Sequence, residues 1–349
     1  PIKSSAASDV YKRQVLSCRP GKHGYDVVLD RTCFYPEGGG QPGDTGVLSG
    51  VRVTDTHEAG GEIVHYCEAP LAEGQTVEGT IDYERRFEFM QLHTGEHILS
   101  GVIHRRFGYE NVGFHMGADF VTIDLSGMLT PEQVQSVEAE ANEWIWKNVP
   151  VEVSYPDPEA LKTIPYRSKK ELTGQVRIVT IPGADVCACC GTHTATTGQV
   201  GQIKILASEN YKGGVRLSVV CGQRALAEAQ AMRARQADIG ALLSAKSTET
   251  ANAVHRVYDE YTALKFAHFG LCSQLFDTLA AQLGPDETAI RTVPGLDPDG
   301  LHRLAARLSE ATTGLCAALT PNEKGTGYCI ARSCLLYTSP SPRDLSTSR

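Results

Sequence analysis

The chain has 349 residues, of which 41% are hydrophobic and 21% are charged, with a formal net charge of −8 at pH 7. This length predicts two or three domains, and the composition excludes a mostly disordered chain. The acidic balance argues against a uniformly basic nucleic-acid coat but leaves room for a local basic groove. No apolar run approaches the roughly 20 residues of a membrane span. The 11 cysteines favour free thiols or metal ligands over a disulfide framework.

Both ends of the chain are polar and turn-rich, without helical or strand periodicity. Residues 1–14 and 334–349 resemble translated adapter sequence, so we exclude them from the fold and expect no stable protection from hydrogen exchange there. A natural disordered tail is the alternative. The N-terminal stretch also lacks the apolar core of a secretion signal, so we expect a cytoplasmic protein, whose natural sequence continues beyond both ends.

Residues 15–82 carry β signals. Apolar and polar side chains alternate in 51–53 and again in 63–67, with a Gly-Gly turn between them, which predicts a hairpin. Before it stands the segment 34–46, FYPEGGGQPGDTG. Its three consecutive glycines allow positive φ angles and a close approach to another group, although a flexible hairpin loop is the alternative.

Residues 83–222 mix helical and strand patterns. Apolar side chains from Phe87 to Phe107 predict one amphipathic helix. Thr130, Pro131 and Gln133 predict a second helix that begins with a capping box. Strands are expected at 120–125, 151–155, 176–181, 203–206 and 215–219. This mixture of helices and antiparallel strands predicts an α+β fold.

The chain becomes helical after residue 222. An alanine-rich stretch and a later helical spacing predict a linker or coiled coil over 223–284. Residues 285–333 would then begin a C-terminal domain that is cut short. We expect this part to be poorly ordered, because truncation leaves apolar surface without its partner elements.

The first motif with chemistry is His93-Thr94-Gly95-Glu96-His97. Residues four apart share one face of a helix, so the two imidazoles can bind one metal ion. Incidental histidines are one alternative. Another is a zinc metalloprotease of the H-x-x-E-H type, with Glu96 as general base, which would need a downstream carboxylate ligand.

The second motif is the segment 187–193, CACCGTH. Cys189 and His193 repeat the four-residue offset, and thiolate and imidazole are preferred zinc ligands. A redox-active pair of Cys187 and Cys190 and a buried apolar cysteine cluster are the alternatives. Both motifs together predict a tetrahedral metal site, whose ligands are His93, His97, Cys189 and His193.

These four residues, in this order, resemble the editing domain shared by alanyl-tRNA synthetases and the free-standing alanyl-tRNA editing proteins. The segment 34–46 is similar to the glycine-rich loop that borders the editing pocket in that family. Residues 191–193 resemble its Gly-Thr-His ending, and 212–222 resemble its closing strand. The resemblance extends over about 15–222, and the remainder looks like the long form with a DHH-associated C-terminal domain. One departure is Glu96, where the synthetases commonly have Thr.

The resemblance implies a small β-barrel-like lobe at 15–82, packed on an α+β editing lobe at 83–222. It implies one Zn²⁺ per chain and hydrolysis of serine or glycine wrongly esterified to tRNA(Ala), and it carries an expectation of nucleotide and ATP binding. Zinc would activate water or anchor the substrate amino group. The expected catalytic residues are Gln41, Glu96 and Thr192. The expected substrate-binding residues are Gly38, Gly39, Gly40, Gln41, Asp44 and Arg216.

The expected partner is the acceptor end of tRNA(Ala), with no DNA or membrane partner and with a dimer through the C-terminal helices. RNA contact has to come from local positive charge, since the whole chain is acidic. The candidates are Arg85-Arg86, Arg105-Arg106, Arg167 with Lys169-Lys170, and Lys212 with Arg216. A zinc-stabilised RNA-binding module without turnover is the non-catalytic alternative.

Overall fold

The computed structural model describes residues 10–168, 174–323, 325–333 and 335–338. The chain divides into two compact units, Pro1–Ala234 and Arg235–Arg349. The strands are β1 (Val10–Gly21), β2 (Gly24–Leu29), β3 (Gly46–Leu48), β4 (Val51–Ala59), β5 (Glu62–Cys67), β6 (Thr76–Ile81), β7 (Asn111–Met116), β8 (Val121–Leu125), β9 (Glu152–Ser154), β10 (Ile178–Ile181), β11 (Asp185–Ala188), β12 (Ile203–Tyr211), β13 (Gly214–Cys221), β14 (Ala289–Thr292), β15 (Cys316–Asn322), β16 (Gly325–Arg332) and β17 (Leu335–Thr338). The helices are α1 (Tyr83–Phe107), α2 (Pro131–Lys147), α3 (Pro158–Leu161), α4 (Gly222–Leu242), α5 (Thr250–Ala281) and α6 (Pro298–Ala311).

The first six strands close into a barrel in the order β1-β2-β5-β4-β3-β6. The predicted hairpin is confirmed as β4 and β5, with Ala59 opposite Glu62 across the Gly-Gly turn. Alternate side chains of the strands point inward, and Val27, Leu48 and Val53 are fully buried among them, together with Phe34 from the segment between β2 and β3. Mixed α+β architecture with a β-barrel is therefore confirmed.

Both ends of the chain take part in strand pairing, although we expected them to lie outside the fold. Val10–Gln14 of β1 pair antiparallel with Thr76–Thr80 of β6, and Leu335–Thr338 form β17 beside β16. Strand pairing uses backbone N–H and C=O groups, so it does not need the alternating side chains that these segments lack. Residues 1–9 and 339–349 lie outside the described part of the chain, and the origin of both termini stays a prediction.

Helix α1 is buried on all sides through its middle, where every residue from 89 to 103 is buried. It is therefore one helix, as predicted, but not an amphipathic one. Two glycines allow its neighbours to approach. A Cβ at Gly95 would lie 2.4 Å from Cys221 Sγ, and one at Gly101 would lie 2.3 Å from the Ala184 carbonyl oxygen. The polar side chains of this segment consequently lie inside the protein.

Two sheets and α2 surround α1 in the first unit. The sheets have the orders β12-β13-β8-β7 and β11-β10-β9, all antiparallel. Helix α2 begins at the predicted capping box, in which the Thr130 hydroxyl accepts from the Gln133 amide and Gln133 Oε1 accepts from the Thr130 amide. The predicted strands of this region are confirmed with small differences in their bounds.

The second unit contains α5, α6 and a sheet of order β14-β15-β16-β17. Strands β14 and β15 are parallel, and the remaining pairs are antiparallel. Leu304 and Leu308 of α6 pack with Cys316 and Phe276 in a core of their own. This core corrects the expectation that 285–332 is poorly ordered, because α5 supplies apolar contacts that a truncated domain was expected to lack.

The barrel contains a buried histidine whose protonation affects stability. His65 Nδ1 lies 3.0 Å from the Val27 carbonyl oxygen and Nε2 lies 2.8 Å from Thr32 Oγ1, and burial lowers the His65 pKa to about 4. The unfolded chain gains this proton below about pH 6.5, whereas the fold excludes it until about pH 4. Stability from this group is therefore full above pH 6.5 and falls by about 3 kcal/mol as the pH drops through that window.

We expect His65→Gln to remove this part of the pH dependence. Urea unfolding at pH 7, 5.5 and 4 measures it: the loss of stability between pH 7 and 4 should be smaller in the variant by about 3 kcal/mol. Parallel pH curves for both proteins would contradict a neutral buried His65.

Candidate metal centre

The four predicted ligands come together in the first unit. Single ligand atoms of His93, His97, Cys189 and His193 all lie within 4.8 Å of one another. The two histidines of α1 stand one turn apart, and the loop after β11 brings the other pair. Cys189 Sγ lies 3.4 Å from His93 Nε2. The loop passes close to the helix at Gly191, where a Cβ would lie 2.0 Å from His93 Cε1.

His97 and His193 form their hydrogen bonds through Nδ1, which leaves the Nε2 atom of each ring for a metal ion. His97 Nδ1 lies 2.9 Å from Asp185 Oδ2, and His193 Nδ1 lies 3.3 Å from Thr94 Oγ1. His193 Nε2 is buried and has no hydrogen-bond partner among the residues that the structure describes. A buried nitrogen without a partner is costly unless something binds it, so the donor set fits a metal ion. Imidazole and thiolate are the ligand types that zinc prefers, and four of them can form a tetrahedral site.

The protonation states also suit a cation. Burial raises the Cys189 pKa, but the nearby imidazoles outweigh it and hold that pKa well below its usual range. Burial lowers the His193 pKa to about 3. Asp185 and Cys189 outweigh burial at His97 and raise its pKa. Because a bound metal would displace that proton, metal affinity is expected to weaken as the pH falls.

Asp185 contacts His97, and Arg167 in turn contacts Asp185. The sequence did not indicate a role at the metal centre for either residue. Arg167 Nε and Nη2 donate to the two oxygens of Asp185 at 2.8 and 2.9 Å. The Arg167 side chain is only 11% exposed. This corrects the expectation that Arg167 contacts RNA, since its guanidinium is committed to an interior ion pair.

Glu96 lies beside the metal ligands in a buried polar network. Its Oε1 accepts from Ser100 Oγ at 2.7 Å and from Asn111 Nδ2. Its Oε2 lies 3.8 Å from His97 Nε2, which is the ring nitrogen on the ligand side. The carboxylate therefore borders the space that the ligands enclose. Asn111, on β7, is a further site residue that local sequence patterns did not reveal.

Gln41 and Thr192 also lie beside the candidate ligands, and their catalytic roles stay a prediction. Gln41 Nε2 donates to Thr192 Oγ1 at 2.8 Å, and the Thr192 amide donates to Gln41 Oε1 at 3.1 Å. His93 Nδ1 lies 2.9 Å from the same Oε1. The glycine-rich loop of the barrel thus reaches the metal ligands directly.

Asp44 and Arg216, two expected substrate-binding residues, have other partners. Asp44 is 2% exposed and forms an ion pair with Arg86, which is itself 7% exposed. Arg216 donates to Asp124 at 2.6 and 2.7 Å and stacks on Tyr211 at 3.7 Å. These contacts do not support substrate binding by either side chain, and they correct the expectation that Arg86 contacts RNA.

Several of the other charged residues expected to bind RNA already contact partners within the protein. Arg105 and Arg106 both contact Glu140, and Lys212 lies over the Tyr211 ring. Lys169 and Lys170 lie outside the described residues. RNA contact by the exposed charges therefore stays a prediction.

The geometry does not favour the metalloprotease site or the redox-active cysteine pair, the alternatives that the two motifs left open. The ligand cluster contains a cysteine and a third histidine and no carboxylate, unlike the expected metalloprotease site. Asp185 contacts His97 through Nδ1, on the side away from the other ligands. Cys187 is buried, and burial raises its pKa to about 11, which disfavours redox chemistry with exposed Cys190. The described cysteines are all free thiols.

Comparison with known proteins agrees with this architecture. Residues 176–218 match the family described as threonyl and alanyl tRNA synthetase second additional domain, and 7–85 match tRNA synthetases class II (A). The chain is 37% identical over 235 residues to the alanyl-tRNA editing protein AlaX-L of Pyrococcus horikoshii, covering 63% of this chain and 58% of that protein. It is 30% identical over 330 residues to the alanyl-tRNA editing protein Aarsd1 of Danio rerio, covering 92% and 80%. It is 40% identical over 222 residues to the alanine–tRNA ligase of Pyrococcus abyssi, covering 59% and 24%.

A barrel, a second additional domain and a His-Cys cluster define the editing class of synthetase-related proteins. The chain belongs to the family of alanyl-tRNA editing proteins. It spans 58% of the archaeal editing protein's length. Neither these matches nor the described geometry supports the expectation of ATP or nucleotide binding. Among the described residues, no helix is both long and apolar enough to cross a membrane.

Proposed function

We propose that this chain deacylates tRNA(Ala) that carries serine or glycine. The observation that carries the proposal is the convergence of His93, His97, Cys189 and His193 beside the buried carboxylate of Glu96, in a chain of the editing family. A zinc ion held by these four residues would supply Lewis-acid polarisation or an anchor for the substrate. The partner would be the acceptor end of tRNA(Ala), and a dimer through the C-terminal helices stays a prediction.

The reaction is ester hydrolysis. Water adds to the carbonyl carbon of the aminoacyl ester, the bond to the ribose oxygen breaks, and the amino acid leaves a tRNA with a free terminal hydroxyl. An aminoacyl ester is already activated, so the site has to orient water, accept its proton and stabilise charge. We assign Glu96 as the general base that accepts the proton of water, because Ser100 and Asn111 hold its carboxylate at the border of the space between the ligands.

Preference for serine over alanine requires a hydrogen bond to the serine hydroxyl. A site built to bind a hydroxyl rejects an analogue without one, because its polar group is then left unpaired. Thr192 Oγ1 accepts from Gln41 and still carries a proton to donate. Thr192 is therefore our candidate for this contact, and the backbone of Gly38–Gly40 is our candidate for the terminal adenosine.

We expect the purified protein to release serine from seryl-tRNA(Ala) faster than alanine from alanyl-tRNA(Ala). Glu96→Gln should lower the seryl rate by roughly 10²–10⁴-fold, because the amide cannot take the proton of water. The measurement is the acid-precipitable label that remains on each charged tRNA over time, with zinc content determined on the same samples.

The matched control is Glu62→Gln, at the exposed turn between β4 and β5, which should leave the rate unchanged. Seryl-tRNA that is no more labile with the folded, zinc-loaded protein than without it would refute the proposed hydrolysis.

A further inference from the structure

We propose that Gln41 is a positioning residue of the metal centre and not a substrate-binding one, so that the barrel lobe orients the metal ligands. The inference rests on the metal site of the proposed function. It deepens that function by assigning the glycine-rich loop a role in holding the metal ligands. The prediction from sequence gave Gln41 the catalytic and substrate roles instead.

The orientation of the Gln41 amide follows from one unambiguous donor. The backbone N–H of Thr192 can only donate, and it lies 3.1 Å from the atom assigned as Gln41 Oε1. That atom is therefore the amide oxygen, and the amide nitrogen donates to Thr192 Oγ1 at 2.8 Å. Two hydrogen bonds to one residue fix the plane of the amide.

The fixed amide then determines the tautomer of His93. An amide oxygen can only accept, so His93 Nδ1, 2.9 Å from Oε1, carries the ring proton. His93 Nε2 is left with its lone pair, and this is the nitrogen 3.4 Å from Cys189 Sγ. Asp185 contacts Nδ1 of His97 in the same way, at 2.9 Å, and leaves Nε2 of that ring for the metal. Such outer partners orient metal-binding imidazoles and raise their basicity.

Gln41 also ties together the two halves of the ligand set. His93 belongs to the helical pair, and Thr192 precedes His193 in the loop pair. Oε1 has two lone pairs, and both are occupied by these neighbours. Because the residue is fully buried and both lone pairs are used, the Gln41 oxygen cannot accept from a substrate hydroxyl or ammonium group.

The glycine-rich loop is held in place at Gly40. Its carbonyl oxygen accepts from the Met116 amide of β7 at 3.1 Å. Its φ is +85°, and a Cβ there would lie 2.6 Å from the Phe114 carbonyl oxygen. The Phe114 ring stacks on His93 with centroids 5.2 Å apart. Only glycine lets the loop seat on β7 and bring Gln41 to His93.

The test measures zinc affinity by competition with a chromophoric chelator, together with far-UV circular dichroism. Gln41→Ala should weaken zinc binding by about 10–100-fold, the usual cost of removing an outer partner of a ligand. Gln41→Glu keeps an acceptor for His93 Nδ1 and for the Thr192 amide, so it should restore affinity close to that of the natural sequence.

A pair of glycine variants tests the loop without changing any polar side chain. Gly40→Ala should weaken zinc binding like Gln41→Ala, because its Cβ collides with β7. Gly39→Ala is the matched control: its φ is also positive, at +59°, but its Cβ would meet nothing within 4 Å. It should keep the zinc affinity.

Three outcomes would overturn the inference. One is an unchanged zinc affinity in Gln41→Ala combined with an altered serine-to-alanine ratio, which would make Gln41 a substrate residue. Another is Gln41→Glu losing as much affinity as Gln41→Ala. The third is equal behaviour of the two glycine variants. If the natural sequence itself binds no zinc, the metal site of the proposed function fails and the inference with it, whereas the first three outcomes leave that site intact.

Discussion

Asp44→Ala should lower the free energy of unfolding of the first unit by about 3–5 kcal/mol. The variant leaves the buried Arg86 guanidinium without its carboxylate, and an uncompensated interior charge is strongly destabilising. It also removes the acceptor of the Tyr35 amide, 2.6 Å from Asp44 Oδ2. Urea unfolding followed by the fluorescence of the two tryptophans, both on α2, measures the loss.

The matched control is a more exposed ion pair of the same lobe. Arg52 and Asp82 have side chains that are 42% and 34% exposed. Arg52→Ala should therefore cost at most about 1 kcal/mol. Adding Arg86→Met to Asp44→Ala should recover part of the loss, because the stranded charge is then gone. Equal, small effects of Asp44→Ala and Arg52→Ala would show that the Asp44–Arg86 pair does not hold the barrel on α1.

Cys189→Ala should abolish stoichiometric zinc binding. It removes the only thiolate of the four-residue cluster, so affinity should fall by more than the roughly 10–100-fold that loss of an outer partner costs. Deacylation should fall with it. Elemental analysis of zinc per chain and chelator competition measure the change. Since ligand protons compete with the metal, affinity in the natural sequence should also weaken as the pH falls.

The neighbouring cysteines supply the controls for this variant. Cys190 is exposed and outside the cluster, so Cys190→Ala should keep one zinc per chain. Cys187 belongs instead to a group with His97 and Asp185. Retention of full zinc in Cys189→Ala and its loss in Cys187→Ala would move the metal to that second group.

Where structure depends on neighbours along the chain, the sequence was sufficient to predict it. The capping box at Thr130 and Gln133 uses residues three apart, and the β4–β5 hairpin depends on its turn and alternation. The same holds for His93 and His97, because a four-residue offset places two side chains on one face of α1, whereas Cys189 and His193 repeat that offset in a loop. The glycine-rich loop and the order of the motifs then indicated the family.

Only the tertiary structure decided what each polar residue of the centre contacts. Gln41 and Thr192 are 151 residues apart, and His97 and Asp185 are 88 apart, so no local periodicity relates them. The pattern of α1 predicted one apolar face, but the barrel lobe and two sheets enclose the helix and bury its polar residues too. Spacing along the chain thus determined which residues could bind a metal. Packing determined that Asp44 and Arg167 form interior ion pairs and that Gln41 contacts a metal ligand, because burial requires each polar group to find its partner inside the protein.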